Sequence, residues 1–66
     1  MTVTVNGQPT DVSAGATVAC VVTDVAGHET GVAVAVNGDV VPRGAWSTTR
    51  LRDGDRVEVL TAVQGG

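Results

Sequence analysis

The chain has 66 residues, a formal net charge of −3 and a hydrophobic fraction of 42%, with only 2% aromatic residues. A chain of this length forms one small domain and has no room for an enclosed active site. Its acidic balance opposes nucleic-acid binding, which depends on clustered Lys and Arg. Without Phe or Tyr, the core must come from valine, alanine and leucine, and β-branched valine favours a sheet.

The sequence also indicates a cellular compartment. No apolar stretch approaches the roughly 20 residues that span a bilayer, and the first residues lack the charged and apolar regions of a signal peptide. The single cysteine, Cys20, cannot form an internal disulfide, which fits a reducing compartment. We therefore expect a soluble cytoplasmic protein with neither nucleic acid nor membrane as a partner.

The first predicted element is a β-hairpin. Threonine and valine alternate in TVTV and lead into Asn6-Gly7, two residues that tolerate the positive φ of a tight hairpin turn. Pro9 follows near the start of the second strand, and it cannot donate a hydrogen bond to a neighbouring strand. The second strand is therefore predicted at an edge of the sheet.

The next segment, TVACVVTDVAG, carries two conflicting signals, because its valines favour a strand by propensity but have helical spacing. They lie at i, i+3, i+4 and i+7, namely Val18, Val21, Val22 and Val25. This spacing puts all four on one stripe of a helix. Thr17 is placed to cap the start and Gly27 to close the end, so the sequence predicts a helix of about ten residues.

The second half of the chain reads as three extended segments. GVAVAVNG alternates and stops at a second Asn-Gly pair, and DVVP is a short extended piece ended by Pro42. A turn or single helical turn is expected near Trp46, followed by a tight turn at Asp53-Gly54. The last strand, RVEVLTAV, alternates between a valine-rich face and a face that includes Leu60.

The element order β-β-α-β-β-β predicts an α+β domain over residues 1–63, with one helix packed on one face of a sheet. Residues 64–66 are predicted to form a flexible tail. In so small a chain this order is compatible with the β-grasp fold of ubiquitin-like proteins, a mixed sheet of four to five strands.

Side chains supply little catalytic or metal-binding chemistry. One His and one Cys cannot complete a zinc site alone, and DGD lacks the remaining ligands of a calcium loop. His28 is predicted to be a solvated loop residue. Cys20 lies off the valine stripe without a basic neighbour, so inert packing is favoured over a reactive thiol. We expect no metal site, no tightly bound cofactor and no catalytic residue of the chain's own.

The C-terminus is chemically more distinctive. Gly66 offers a carboxylate with no Cβ to obstruct a narrow channel, and Gln64, Gly65 and Gly66 can extend about 10 Å beyond the last strand. That reach is enough to insert the carboxylate into the site of another protein. The chain also contains no lysine that could capture an activated carboxylate, although a preference for arginine explains the same fact. The alternative is a disordered end without function.

The segment GVAVAVNGDVVPRGAWSTTRLRDGDRVEVLTAVQGG, residues 31–66, resembles the ThiS-like family, the sulfur carriers of thiamine biosynthesis. The similar features are the strand into Asn37, VVPR followed by Trp46, LRDGDRVEVL, and the terminal Gly65-Gly66. The first half agrees more loosely, through VNG and AGATV. The order and spacing of these features, together with the total length of the chain, carry the resemblance, which spans nearly the whole chain.

The resemblance implies a β-grasp fold and a carrier that is a co-substrate of other enzymes. A ThiF-like adenylating enzyme would use ATP and Mg²⁺ to join AMP to the carboxylate of Gly66. Sulfur from a cysteine desulfurase or another persulfide source would then displace AMP and leave a thiocarboxylate. Thiazole synthase would consume that sulfur in forming the thiazole of thiamine.

A carrier also needs a surface that its partners recognise. Leu60 and Ala62 face away from the valine face just before the tail and are candidate docking residues, although exposed apolar residues are common on any surface. Val63, Trp46 and Arg43 complete the candidates. Packing is favoured over partner contact for Trp46, and an exposed arginine such as Arg43 more often only solvates a surface.

Other functions remain open at this point. Sulfur carriers for molybdopterin or cysteine synthesis share the fold and the Gly-Gly end, although they usually run longer. A ubiquitin-like modifier would join Gly66 to lysines of target proteins. A plain β-grasp binding module would have an irrelevant tail and would keep its activity after deletion of the two glycines.

Overall fold

The computed structural model describes residues 1–27 and 30–61. Its elements follow the predicted order: β1 (Thr2–Val5), β2 (Gln8–Asp11), α1 (Val18–Ala26), β3 (Val32–Val36), β4 (Asp39–Val41), a 3₁₀ turn (Arg43–Ala45) and β5 (Arg56–Thr61). The strands form one five-stranded sheet in the order β2-β1-β5-β3-β4. β1 and β5 are parallel and the other neighbours are antiparallel. The predicted α+β fold with a mixed sheet is therefore confirmed.

The predicted first hairpin is present, with its turn at Asn6-Gly7. Both residues have positive φ, 50° for Asn6 and 82° for Gly7. β2, which contains Pro9, lies at the edge of the sheet, and among the described residues its strand partner is β1. The missing amide hydrogen of Pro9 therefore leaves no central ladder incomplete.

The valine-rich segment is a helix, so its periodicity prevails over its strand propensity. The Thr17 hydroxyl oxygen accepts a hydrogen bond from the Cys20 amide, and Gly27 ends the helix in the left-handed region at φ 75°. Its amide donates to the carbonyls of Thr23 and Val22. The predicted stripe is buried except at Val25, which is 47% exposed.

The core lies between α1 and one face of the sheet. It consists of Val3, Val5, Val18, Val21, Val22, Val34, Trp46, Leu51, Val57 and Val59. On β5 the odd-numbered residues Val57 and Val59 point into this core, as the alternation predicted. The even-numbered residues of β5 therefore lie on the opposite, open face of the sheet.

Candidate functional site

The last strand lies at the centre of the sheet, and the C-terminal residues continue from it. β5 is held between β1 and β3, and Thr61, its last residue, is in register with Val32 of β3. The predicted tail residues Gln64, Gly65 and Gly66 lie outside the described residues, as do the candidate docking residues Ala62 and Val63. The described part of the chain thus defines the base from which the tail starts.

An apolar patch covers the open face of the sheet beside that base. Leu60 is in register with Ala33, and Ala35 is in register with Val40 of the edge strand β4. Leu60 is 68% exposed and Val40 is 77% exposed. Together with Glu58, the residues Ala33, Ala35, Val40 and Leu60 line a shallow, almost wholly apolar cleft of about 130 Å³. We call Ala33, Ala35, Val40 and Leu60 the apolar patch.

The sequence prediction found one member of this patch and missed the rest. Leu60 was identified because it faces away from the valine face of β5. Val40 was missed because only the register of β3 with β4 places it beside Ala35. The alternation in GVAVAVNG puts the alanines on the face opposite the valines, and this was the available signal for Ala33 and Ala35.

Trp46 and Arg43 occupy different environments. The indole of Trp46 is 2% exposed, and its Nε1–H donates a hydrogen bond to the Val41 carbonyl oxygen at 2.8 Å. The favoured interpretation of Trp46 as a packing residue is therefore confirmed. Its place among the candidate docking residues is wrong, because a side chain enclosed in the core offers a partner almost no surface. Arg43 is exposed in the 3₁₀ turn that follows β4.

The predicted packing role of Cys20 is wrong, since its thiol is exposed. The sulfur lies 3.4 Å from the Thr17 hydroxyl oxygen. The hydrogen bond from this hydroxyl stabilises the thiolate and lowers the pKa of Cys20 below its ordinary value. The Thr17 hydroxyl at the N-cap thus lowers the pKa of Cys20, whereas the prediction considered only a basic neighbour as a possible cause.

The DGD segment forms the predicted turn rather than a calcium loop. Gly54 has φ 86°, and the carboxylate of Asp53 accepts a hydrogen bond from the Thr2 amide at 2.8 Å. The carboxylate of Asp55 accepts one from the Arg52 amide at 2.8 Å. Residues 1–27 and 30–61 contain no group of three or more His, Cys, Asp or Glu arranged to hold a metal ion. His28 lies outside these ranges.

None of the helices in residues 1–27 and 30–61 is long and apolar enough to span a bilayer.

A mixed five-stranded sheet with one helix on one face and the last strand at its centre places the protein in the ubiquitin-like β-grasp class. The model of the ThiS family matches residues 3–66. The sulfur carrier protein ThiS of Escherichia coli is 30% identical over 66 residues, covering all of both chains. The chain belongs to the ThiS family, the sulfur carriers of thiamine biosynthesis, and its role is that of a carrier rather than a catalyst.

Solved structures agree with this assignment. The crystal structure of the thiamine biosynthesis protein ThiS from Geobacter metallireducens is 35% identical, with a TM-score of 0.80 and full coverage of both chains. The solution structure of a thiamine biosynthesis protein from the same organism gives a TM-score of 0.81 at 35% identity, covering all of this chain and 88% of that one. The resemblance to the ThiS-like family is therefore confirmed.

Proposed function

We propose that the carboxyl group of Gly66 is the site that carries sulfur in this protein. The observation that carries the proposal is the family match, which extends through residue 66 and so includes the Gly-Gly end. Support also comes from the central position of β5, because a strand bonded on both sides gives the tail a fixed base.

The chemistry proceeds in three steps, none of which needs a side chain of this protein. A ThiF-like enzyme, using ATP and Mg²⁺, joins the carboxylate of Gly66 to AMP, and pyrophosphate leaves. The terminal sulfur of a persulfide, formed by a cysteine desulfurase or another source, attacks the carbonyl carbon and displaces AMP. A thiol then cleaves the resulting S–S bond, which leaves the thiocarboxylate on Gly66 and a disulfide on the donor side. Thiazole synthase consumes this sulfur.

Partner recognition is assigned to the apolar patch. It lies on the same strand that leads into the tail, and Leu60 and Val40 present large exposed apolar side chains there. The chain from Leu60 to Gly66 spans at most roughly 20 Å. An enzyme that covers the patch would therefore need its reactive site within that distance of Leu60. We place this chemistry in the cytoplasm.

Adenylation tests the proposal directly. The protein is incubated with the ThiF-like enzyme of the same organism, ATP and Mg²⁺, and pyrophosphate release is measured. The matched control lacks only Gly65 and Gly66, which leaves every described hydrogen bond in place. Pyrophosphate release that depends on the two glycines is expected. Equal release from both proteins, or none from either, would contradict the proposal.

A further inference from the structure

Two asparagines hold the central strand β5, one near each end. The Asn6 amide group donates to the Val59 carbonyl oxygen at 3.1 Å and accepts from the Val59 amide at 2.9 Å. The Asn37 side chain accepts from the Arg56 amide at 2.9 Å and donates to the Asp55 carboxylate at 3.1 Å. Each asparagine belongs to an Asn-Gly hairpin turn and has positive φ, 50° and 51°.

The Asn6 side chain extends the pairing between β1 and β5 after β1 has ended. The parallel register stops at Val5 and Val57. The backbone amide of Asn6 then donates one more hydrogen bond, to the Val57 carbonyl oxygen at 2.9 Å. The carboxamide then binds both backbone groups of Val59, as the next residue of a strand would. Beyond Val59, the described residues of β5 are in register with β3 alone, at Leu60 and Thr61.

The two hydrogen bonds between the Asn6 side chain and Val59 therefore lie where the apolar patch meets the tail. Val59 precedes Leu60, the member of the apolar patch nearest the tail, and Asn6 is the last partner of β5 on the β1 side within the described chain. Without the Asn6 side chain, the strand beyond Val57 would be paired on one side only. Strand ends with such single-sided pairing open locally at lower free energy than strands bonded on both sides.

From this geometry we infer that Asn6 is a positioning residue, which fixes where the tail starts relative to the apolar patch. This inference rests on the proposed function. A longer free segment dilutes the reactive end, and effective concentration falls roughly as the −3/2 power of its length. If the last residue that is bonded on both sides moves from Val59 to Val57, the segment up to Gly66 lengthens by two residues. The effective concentration of the Gly66 carboxylate at the partner's site then falls about 1.5-fold.

The test compares Asn6→Gly with Asn37→Gly. Glycine adopts the positive φ of either turn without strain, so each variant loses only a carboxamide and its two bonds to the region of β5. Pyrophosphate release by the ThiF-like enzyme is measured against carrier concentration. We expect Asn6→Gly to raise the KM for the carrier about 1.5-fold with kcat unchanged. Asn37→Gly, at the far end of β5, is expected to leave both constants unchanged.

A stability effect is distinguished by two further measurements. Denaturant unfolding should show similar losses for the two variants, whereas amide hydrogen exchange at Leu60 and Thr61 should accelerate only in Asn6→Gly. Asn6→Asp keeps the acceptor for the Val59 amide but not the donor, and an intermediate KM is expected. Equal KM values for all carriers would overturn the inference while leaving the proposed function intact. Absence of adenylation in the wild type would overturn both.

Discussion

The thiol of Cys20 lies in the first turn of α1, where the Thr17 hydroxyl has the largest influence on its pKa and the charge of Asp24 acts in the opposite direction. The Thr17 hydroxyl both caps the helix and contacts the sulfur at 3.4 Å. A hydrogen bond donated to a thiolate favours the charged form, so the pKa of Cys20 is lowered and more thiolate is present at a given pH. Removing the hydroxyl should reverse this shift.

Replacement of Thr17 by valine is therefore expected to raise the pKa of Cys20 toward its ordinary value. The rate of alkylation by iodoacetamide, followed against pH, should reach its midpoint at a higher pH than in the wild type, because the thiolate is the nucleophile. Thr17→Ser keeps the hydroxyl and should retain the wild-type midpoint. A Thr17→Val curve superimposed on the wild-type curve would contradict this explanation. Loss of the cap should also reduce the free energy of unfolding by about 1 kcal/mol.

At the scale of single residues, the sequence predicted conformation better than contacts. Asn6-Gly7 was predicted to turn because both residues tolerate positive φ, and the turn is present. The bonds from Asn6 to Val59 could not be predicted, because they depend on the pairing of β1 with a strand 53 residues away along the chain. Trp46 shows the same limit, since its packing was favoured from the sequence but its hydrogen bond to the Val41 carbonyl oxygen could not be predicted.

Among the elements, α1 shows most clearly how pattern and caps determine a structure. Its valines oppose a helix by propensity, yet three of them are buried on one stripe between the caps Thr17 and Gly27. The periodicity predicted this helix because burial of one face contributes more than the small differences in propensity. Val25, at 47% exposure, was placed in the core by the same pattern, which does not specify how far the sheet covers the last turn.

The end of α1 can be tested with two glycine-to-alanine substitutions. Gly27 has φ 75°, where a Cβ is strained, so Gly27→Ala is expected to reduce the free energy of unfolding by about 1–2 kcal/mol. Gly44 lies in the 3₁₀ turn without a positive φ, and a Cβ there would meet nothing within 4 Å. Gly44→Ala should therefore be neutral or stabilising by up to about 1 kcal/mol. Denaturant unfolding gives the free energy of unfolding of both variants. Equal losses of this free energy would contradict the assignment of Gly27 as a left-handed cap.

The whole molecule separates a buried face of the sheet from an open one, and we assign partner docking to the open one. Leu60→Ser is expected to lower kcat/KM for adenylation about tenfold, chiefly by removing apolar surface that a partner would bury. Val25→Ser is the control, because it removes an exposed apolar side chain from the helix instead. The kinetics of pyrophosphate release with the ThiF-like enzyme are measured for both variants and compared with the wild type. Equal effects of the two substitutions would show that the apolar patch has no special role.

The order of strands was the part of the fold that the sequence left open. Alternation identified β1, β3 and β5, but the parallel pairing of β1 with β5 joins the two ends of the described chain. Local patterns carry no information on such distant pairing, and the compatibility with a β-grasp fold predicted only that the sheet would be mixed. The apolar patch was incomplete for the same reason, because Leu60 and Val40 are brought together only through β3.

The central claim is that Gly66 carries sulfur, and intact mass measurement of the protein recovered from its native cells tests it most directly. Fragmentation of the C-terminal peptide locates any change. We expect a population heavier by the difference between sulfur and oxygen, with the added mass confined to Gly66. Linkage of Gly66 to lysines of other proteins, or an unmodified carboxylate even after incubation with the adenylating enzyme, ATP and a persulfide donor, would contradict this account.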